Sequence, residues 1–320
     1  MKKPLVVLTG PTAVGKTDLS IMLAKKINGE IISADSMQVY KYMDIGSAKI
    51  MPDEMQGVKH YLVDELYPDE EFNIYRFKQM AEKALEQIYA NGHIPIVTGG
   101  TGFYIQALLY DIDFTENEAD TGYRQQLEKL ALEKGAEYLH SLLVQCDDNA
   151  AAAIHPNNVK RVIRALEYYR LTGQKISEHN ETEKSKESPY NFAYVVLNRE
   201  RKVLYERIEK RIDIMLKKGL VDEVKRLKDM GYTRDMVSMQ GLGYKEILDY
   251  LNGQITLDEA EYILKRDTRH FAKRQLTWFR REKDVCWFDM DGKTDEQILN
   301  EILEILAKKN IIDNGLPVNA

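Results

Sequence analysis

Cysteine and proline are scarce in this 320-residue chain, with two cysteines, Cys146 and Cys286, and eight prolines. Two thiols so far apart, without a CxxC pair or a Cys/His cluster, exclude a disulfide framework and a structural zinc site. No apolar run approaches the ~20 residues that a membrane-spanning helix needs, so no membrane association is expected. Internal repeats and low-complexity tracts are also lacking. With 44% hydrophobic and 30% charged residues, the chain is neither too polar to fold nor collagen-like. Its length suits about two domains of roughly 150 residues. The N-terminus has two lysines and a short apolar stretch, but that stretch runs into a glycine-rich motif and not a cleavage site. It is expected to be the first core strand of a cytoplasmic protein.

Charge of one sign is nearly balanced overall, with 45 Lys+Arg against 51 Asp+Glu and a net charge of −6. The imbalance is local. Between residues 265 and 283 stand eight cations, Lys265, Arg266, Arg269, Lys273, Arg274, Arg280, Arg281 and Lys283, against the acids Asp267 and Glu282. At about 100° per residue on a helix, Arg266, Arg269, Lys273 and Arg280 fall in one arc of about 60°. Leu264, Phe271 and Trp278 fall opposite. One face is built to pack and the other to meet anions. Lys160, Arg161 and Arg164 form a second cluster.

Strand-like and helix-like segments alternate through the first third of the chain. Residues 5–9, 30–33 and 94–98 read as strands, 18–27 and 72–89 as helices. Such alternation implies a parallel sheet wrapped by helices. From residue 113 to about 190 strand signals stop. The segment becomes helical and polar and ends in a charged stretch, 178–188, expected to be a surface loop. Strand patterns return at 192–197 and 285–288. The expected organisation is an α/β core from residues 1–112 and 192–312, an all-helical insertion over 113–191, and a frayed tail over 313–320.

Gly10, Pro11, Thr12, Ala13, Val14, Gly15, Lys16 and Thr17 fit the pattern G-x4-G-K-[ST], and they sit between a strand and a helix, the context the motif requires. Backbone amides in such a loop converge on phosphate oxygens, and the helix N-terminus adds a favourable dipole. Lys16 supplies a point charge, and the Thr17 hydroxyl can hold Mg²⁺. A diphosphate or triphosphate ligand and a P-loop NTPase-like α/β fold follow. A nucleotide hydrolase or kinase also presents an acid near the metal. Here Asp35 follows the second strand, while the 94–98 strand ends in the neutral turn Thr98-Gly-Gly-Thr-Gly. That contrast favours a diphosphate that leaves over a γ-phosphate that is transferred.

Eight stretches resemble one family, the tRNA dimethylallyltransferases. They are GPTAVGKT (10–17), ISADSMQVYKYMDIGSAK (32–49), KHYLVDE (59–65), PIVTGGTGFY (95–104), IHPNNVKRVIRALE (154–167), RIDIMLKKGLVDEV (211–224), QGLGYKE (240–246) and TRHFAKRQLTWFR (268–280). They occur in the family's order. Ser47, Ile50 and the stretch 158–160 depart from its usual residues, away from the expected chemistry. The resemblance implies transfer of a dimethylallyl group from dimethylallyl diphosphate to N6 of adenosine 37 in tRNAs whose anticodon loops carry adenosines at 36, 37 and 38. A cytoplasmic, monomeric enzyme using Mg²⁺ is expected.

The resemblance also implies roles. The adenine N6 is a poor nucleophile because its lone pair is delocalised, so a carboxylate that takes its proton is useful. Asp35 holds that position. Charge develops on the bridging oxygen of the leaving diphosphate, where a hydroxyl stabilises it. Thr101 fits. Arg211 is similar to an arginine that supports the diphosphate with the loop. For tRNA, the resemblance points to Asp35, Ser36, Met37, Gln38 and Thr101; to Arg124, Lys160, Arg161, Val162, Ile163 and Arg164; to Gln240, Gly241, Leu242, Gly243, Tyr244 and Lys245; and to Arg269, Lys273, Arg274 and Gln275. An enzyme acting on a stacked base must draw it into a pocket, and single-stranded loops are where sequence-specific RNA readers work.

Three other readings share some of these features. A small-molecule P-loop kinase would use the loop and sheet but gives no reason for the basic helix. Prenyl transfer to a free adenine nucleotide would need neither the insertion nor two basic clusters. An RNA-binding module with a structural nucleotide gives no reason for Asp35 and Thr101.

Overall fold

The computed structural model describes residues 2–113 and 121–313. The expected tail over 313–320 lies outside them except for its first residue. Chain order begins with β1 (Lys3–Thr9), α1 (Lys16–Ile27), β2 (Gly29–Ser33), β3 (His60–Tyr61), α2 (Ile74–Ala90), β4 (Ile94–Gly99) and α3 (Gly102–Leu109). Helices alone follow: α4 (Thr121–Lys134), α5 (Ala136–Cys146), α6 (Asp148–Ala153), α7 (Val159–Thr172) and α8 (Ile176–Ser185). The chain then returns through β5 (Tyr190–Asn198), α9 (Arg201–Lys217), α10 (Leu220–Asp229), α11 (Tyr244–Leu251), α12 (Leu257–Phe279), β6 (Val285–Asp289) and α13 (Asp295–Lys308). Two compact units result. One takes the chain up to Leu109 and from Pro189 onward, and the other is Tyr110–Ser188.

In the first unit six strands form one sheet in the order β3-β2-β4-β1-β5-β6, with every pair parallel. Such strands are covered on both faces and carry near-continuous apolar runs. Leu5, Val6 and Leu8 of β1 and Ala193 to Leu197 of β5 are accordingly buried. β1 is central, with β4 on one side and β5 on the other. β2, β3 and β4 lie on one side of it and β5 and β6 on the other, so the sheet has its switch point at the carboxyl end of β1, where ligands bind in open α/β sheets.

Local signals explain the helix starts. α2 is capped by Asn73, whose side chain accepts from the Arg76 amide, and Thr256 and Glu259 close a capping box on α12. α12 buries Ala260, Leu264, Ala272, Gln275 and Phe279, a stripe at helical spacing that explains why the cations fall on the outside.

The helical unit has its own core, in which Leu127, Leu139, Leu143, Ala150, Ala151, Val162, Ile163, Ala165 and Leu166 meet. One expectation is corrected here. Residues 178–188 are not a loop for most of their length, because α8 runs from Ile176 to Ser185. Its start is tied by Asp147, which accepts hydrogen bonds from the Ser177 amide at 2.9 Å and hydroxyl at 2.7 Å. Its end buries Glu183, which accepts from the Asp113 amide and pairs with Lys186. The cap lies 30 residues upstream of the helix it caps, so no local pattern announces it. No helix among the described residues is long and apolar enough to cross a membrane.

Candidate active site

The turn after β1 wraps residues 10–17 around the N-terminus of α1. Gly15 caps that helix at φ 114°, a left-handed conformation that glycine adopts without steric cost. The loop's carbonyls are occupied from outside. Lys16 Nζ donates to the carbonyls of Gly10 and Pro11, both at 2.9 Å. Arg207 Nε donates to the Ala13 carbonyl at 2.8 Å, and Arg199 Nε to that of Val14 at 2.9 Å. Arg211 donates to the Thr12 hydroxyl at 3.1 Å. Among the described residues the amides of Ala13, Gly15, Lys16 and Thr17 have no hydrogen-bond acceptor, the arrangement an anion requires. The Thr12 amide is already used, because it donates to Gln275 Oε1 at 2.9 Å.

A cavity of about 440 Å³ opens beside this loop, lined on that side by Thr12, Lys16, Thr17, Arg207 and Arg211. Asp35 and Gln38 from the segment after β2 face the same space. Asp35 Oδ1 accepts from the Met37 amide at 2.8 Å and the Gln38 amide at 3.4 Å, which holds the carboxylate in one orientation; Oδ2 has no hydrogen-bond partner among the described residues. Charges converge strongly. Burial, seconded by the Arg211 cation and partly offset by Asp35, pulls the Lys16 ammonium down to about 7. Burial also lowers the Arg211 guanidinium, with Asp35 opposing. Both shifts come first from burying a cation, with a neighbouring cation adding to each, and an anionic ligand would oppose both.

Thr101 stands at the start of α3. Its amide donates to the Ala34 carbonyl at 3.2 Å, so one hydrogen bond separates it from the residue before Asp35. The cavity wall itself is formed by Thr98, Gly99 and Gly100 of the same turn. Thr98 Oγ1 is buried there without a hydrogen-bond partner among the described residues, and Thr17 lines the same space. Among the described residues no three His, Cys, Asp or Glu side chains converge on a point. Such a donor set fits a hard cation that takes one protein hydroxyl and completes its shell with phosphate oxygens and water.

Other residues singled out by the resemblance are placed as follows. Ser36, Met37 and Gln38 are half-buried beside Asp35. Met37 packs on Gly241, where an added Cβ would meet its methyl carbon at 2.4 Å, which joins this segment to the 240–245 turn. Gln240 is exposed, and its side chain donates to the Arg234 carbonyl. Leu242 and Lys245 are half-buried, and Gly243 caps α11. Lys273 and Arg274 are exposed on α12, while Arg269 is engaged by Glu209 and Arg266 by Asp267. In the helical unit Lys160 and Arg161 are exposed, and burial lowers the half-buried Arg164.

Five residues sit differently from the expectation of RNA contact. Val162 and Ile163 are buried in the helical unit's core, because a helix that exposes Lys160 and Arg161 turns the next two residues inward. Arg124 makes a two-pronged ion pair with the buried Glu167, at 2.9 and 2.7 Å. Gln275 is buried between the phosphate loop and the β4 turn. Tyr244 is fully buried, with its hydroxyl donating to Glu223 at 2.9 Å and accepting from the Ser47 amide at 3.1 Å. The sequence reading missed the groups that hold the site, Arg199, Arg207 and Glu223, and the half-buried His60 that lines its far wall. The two arginines follow β5, whose carboxyl end adjoins β1 in a parallel sheet, and that adjacency was the available signal.

Fold and cavity define a P-loop-like α/β protein in which the glycine-rich loop and a carboxylate line one space. A family model described as IPP transferase matches residues 38–282, and the chain belongs to that family. A tRNA dimethylallyltransferase of Lachnoclostridium phytofermentans is 64% identical over 311 residues, covering 97% of this chain and 99% of the relative. The crystal structure of the tRNA isopentenylpyrophosphate transferase from Bacillus halodurans is similar with a TM-score of 0.73 at 47% identity, covering 97% of each chain. A eukaryotic dimethylallyltransferase captured acting on tRNA superposes with a TM-score of 0.81 at 29% identity, covering 96% of this chain and 80% of that one.

Proposed function

We propose that this chain transfers the dimethylallyl group of dimethylallyl diphosphate to N6 of adenosine 37 in the anticodon loop of tRNA and releases diphosphate. The observation that carries this reading is that Asp35 and the phosphate loop line one cavity, while the strand beside β1 ends in glycines and threonines and not an acid. The diphosphate sits on the amides of Ala13, Gly15, Lys16 and Thr17 with the Lys16 and Arg211 side chains. The substrate's N6 attacks the first isoprenyl carbon, and the bond from that carbon to the bridging oxygen breaks. Asp35 Oδ2 takes the N6 proton, and its other oxygen keeps the orientation given by the Met37 and Gln38 amides. The Thr101 hydroxyl donates toward the departing oxygen, and its backbone tie to Ala34 keeps it near the base. The Thr17 hydroxyl would hold Mg²⁺, which when bound would supply charge neutralisation to the departing diphosphate.

In the first unit the RNA meets the exposed side of α12 at Lys273, Arg274 and Arg280, and the segment 35–38 with Gln240, Leu242 and Lys245; in the helical unit it meets Lys160 and Arg161. Relatives named for action on tRNA support this side of the reading. The test is incubation with Mg²⁺, dimethylallyl diphosphate and an unmodified tRNA carrying adenosines at 36, 37 and 38, followed by nucleoside mass spectrometry, with ATP alone in parallel. N6-dimethylallyladenosine at position 37 is the expected product. ADP formed from ATP, with no modified nucleoside, hands the loop to a kinase.

A further inference from the structure

One buried side chain joins the helix that presents the exposed cations to the loop that takes the phosphates. Gln275 lies on the inner face of α12 and is 6% exposed. Its Oε1 accepts from the Thr12 amide and its Nε2 donates to the Gly100 carbonyl, both at 2.9 Å. A primary amide has one accepting and one donating end, and here each meets its complement on a different strand's terminal turn. The approach is close: a Cβ at Gly100 would lie 2.1 Å from Nε2, so only glycine admits the amide. Thr12 is thus held at two atoms, its amide by Gln275 and its hydroxyl by Arg211.

We propose that Gln275 is a positioning residue, which fixes the phosphate loop against the β4 turn that leads into Thr101 and so sets the affinity for the donor's diphosphate; it is not an RNA contact. The proposal rests on the reading of the cavity as a diphosphate site. A site whose groups must sit within fractions of an ångström needs a support that is itself locked, and an amide bridging two turns from a packed helix provides one. Lys273 and Arg274, one helical turn or less away, are exposed, so the same short segment of α12 serves both sides of the reaction.

The test titrates Mg²⁺-pyrophosphate into the full-length protein saturated with an unmodified anticodon stem-loop RNA, and separately titrates the RNA itself. Gln275→Met keeps the volume and removes both hydrogen bonds. Pyrophosphate affinity is expected to fall on the order of tenfold, with RNA affinity within about twofold of the parent, which also shows that the variant is folded. Gln275→Glu adds a readout that mere packing would not give. As a carboxylate it accepts from Thr12 but opposes the Gly100 carbonyl, whereas as a neutral acid it again has one donor and one acceptor. Its pyrophosphate affinity relative to the parent at each pH is expected to recover as pH falls from 8 toward 5.5. Loss of RNA affinity with pyrophosphate affinity intact overturns the proposal, as does a pH-independent deficit in Gln275→Glu. A parent protein that takes RNA but no pyrophosphate overturns instead the diphosphate reading of the cavity, and the proposal with it.

Discussion

Glu223 offers the sharpest test of how the cavity wall is held. It lies on α10, 3% exposed, and accepts four hydrogen bonds: from the amides of Asp44 at 3.0 Å, Ile45 at 2.8 Å and Gly46 at 3.0 Å, and from the Tyr244 hydroxyl at 2.9 Å. The loop so gripped supplies Ser47, Ala48 and Ile50 to the cavity. Glu223→Gln keeps the shape but replaces one accepting oxygen with an NH₂ group that faces donors. Hydrogen bonds to a charged group contribute about 1.5–3 kcal/mol each. Because four on one carboxylate are not additive, the expected loss is about 3 kcal/mol. Spread over a unit of this size, that lowers Tm by roughly 6–12 °C. Urea denaturation measures the global term, and hydrogen exchange at residues 44–46 measures the local one. A Glu223→Gln protein within about 0.5 kcal/mol of the parent, with the three amides still protected, would refute the reasoning.

Asp35→Ala is expected to cut kcat by at least about a hundredfold while RNA affinity, measured by filter binding, stays within a few fold; a parallel collapse of affinity sinks the base assignment. Burial pulls the Lys16 ammonium down to about 7 and a bound anion raises it, so binding is coupled to proton uptake at Lys16 above neutrality. Pyrophosphate affinity should therefore fall as pH rises from 7 to 9, and calorimetry in buffers of different ionisation enthalpy should register the proton. Reversing Lys273 and Arg274 to Glu should weaken RNA binding and reduce the slope of log affinity against log salt by roughly 1.5; an unchanged slope removes this face from the interface. Arg124→Ala should leave Glu167 as a buried charge without its bidentate partner and destabilise the helical unit by about 2 kcal/mol, read by denaturation, without altering the salt slope.

What was legible in the sequence is what local patterning encodes. The strands at 5–9, 94–98 and 192–197 were visible because parallel strands buried on both faces are runs of β-branched and apolar residues, and the edge strand at 285–288 was visible from its apolar residues although it is only partly buried. The phosphate loop was visible because its geometry demands two glycines and a lysine at set spacing. His60 and Tyr61 form a strand too short to leave a pattern, and α8 stayed hidden because the residue that ties its start, Asp147, comes from the junction of α5 and α6.

The support of the site was illegible for a more general reason. Gln275 bonds across 263 residues to Thr12, and Glu223 across 177 or more to the loop it holds. Neither residue type, read alone, separates an inner brace from a solvated or RNA-facing side chain. α12 shows the ambiguity within three positions: Lys273 and Arg274 face out while Gln275 faces in. A motif match treats such a stretch as one contact surface, whereas helical periodicity divides it, and the buried stripe at Ala260, Leu264, Ala272, Gln275 and Phe279 decides the division. Val162 and Ile163 beside Lys160 and Arg161 repeat the case on α7. A segment can recur across relatives because half of its residues meet the substrate and the other half hold them in place. Only the pattern of burial tells which half a residue belongs to, and therefore whether its loss should show in RNA affinity, in donor affinity or in stability.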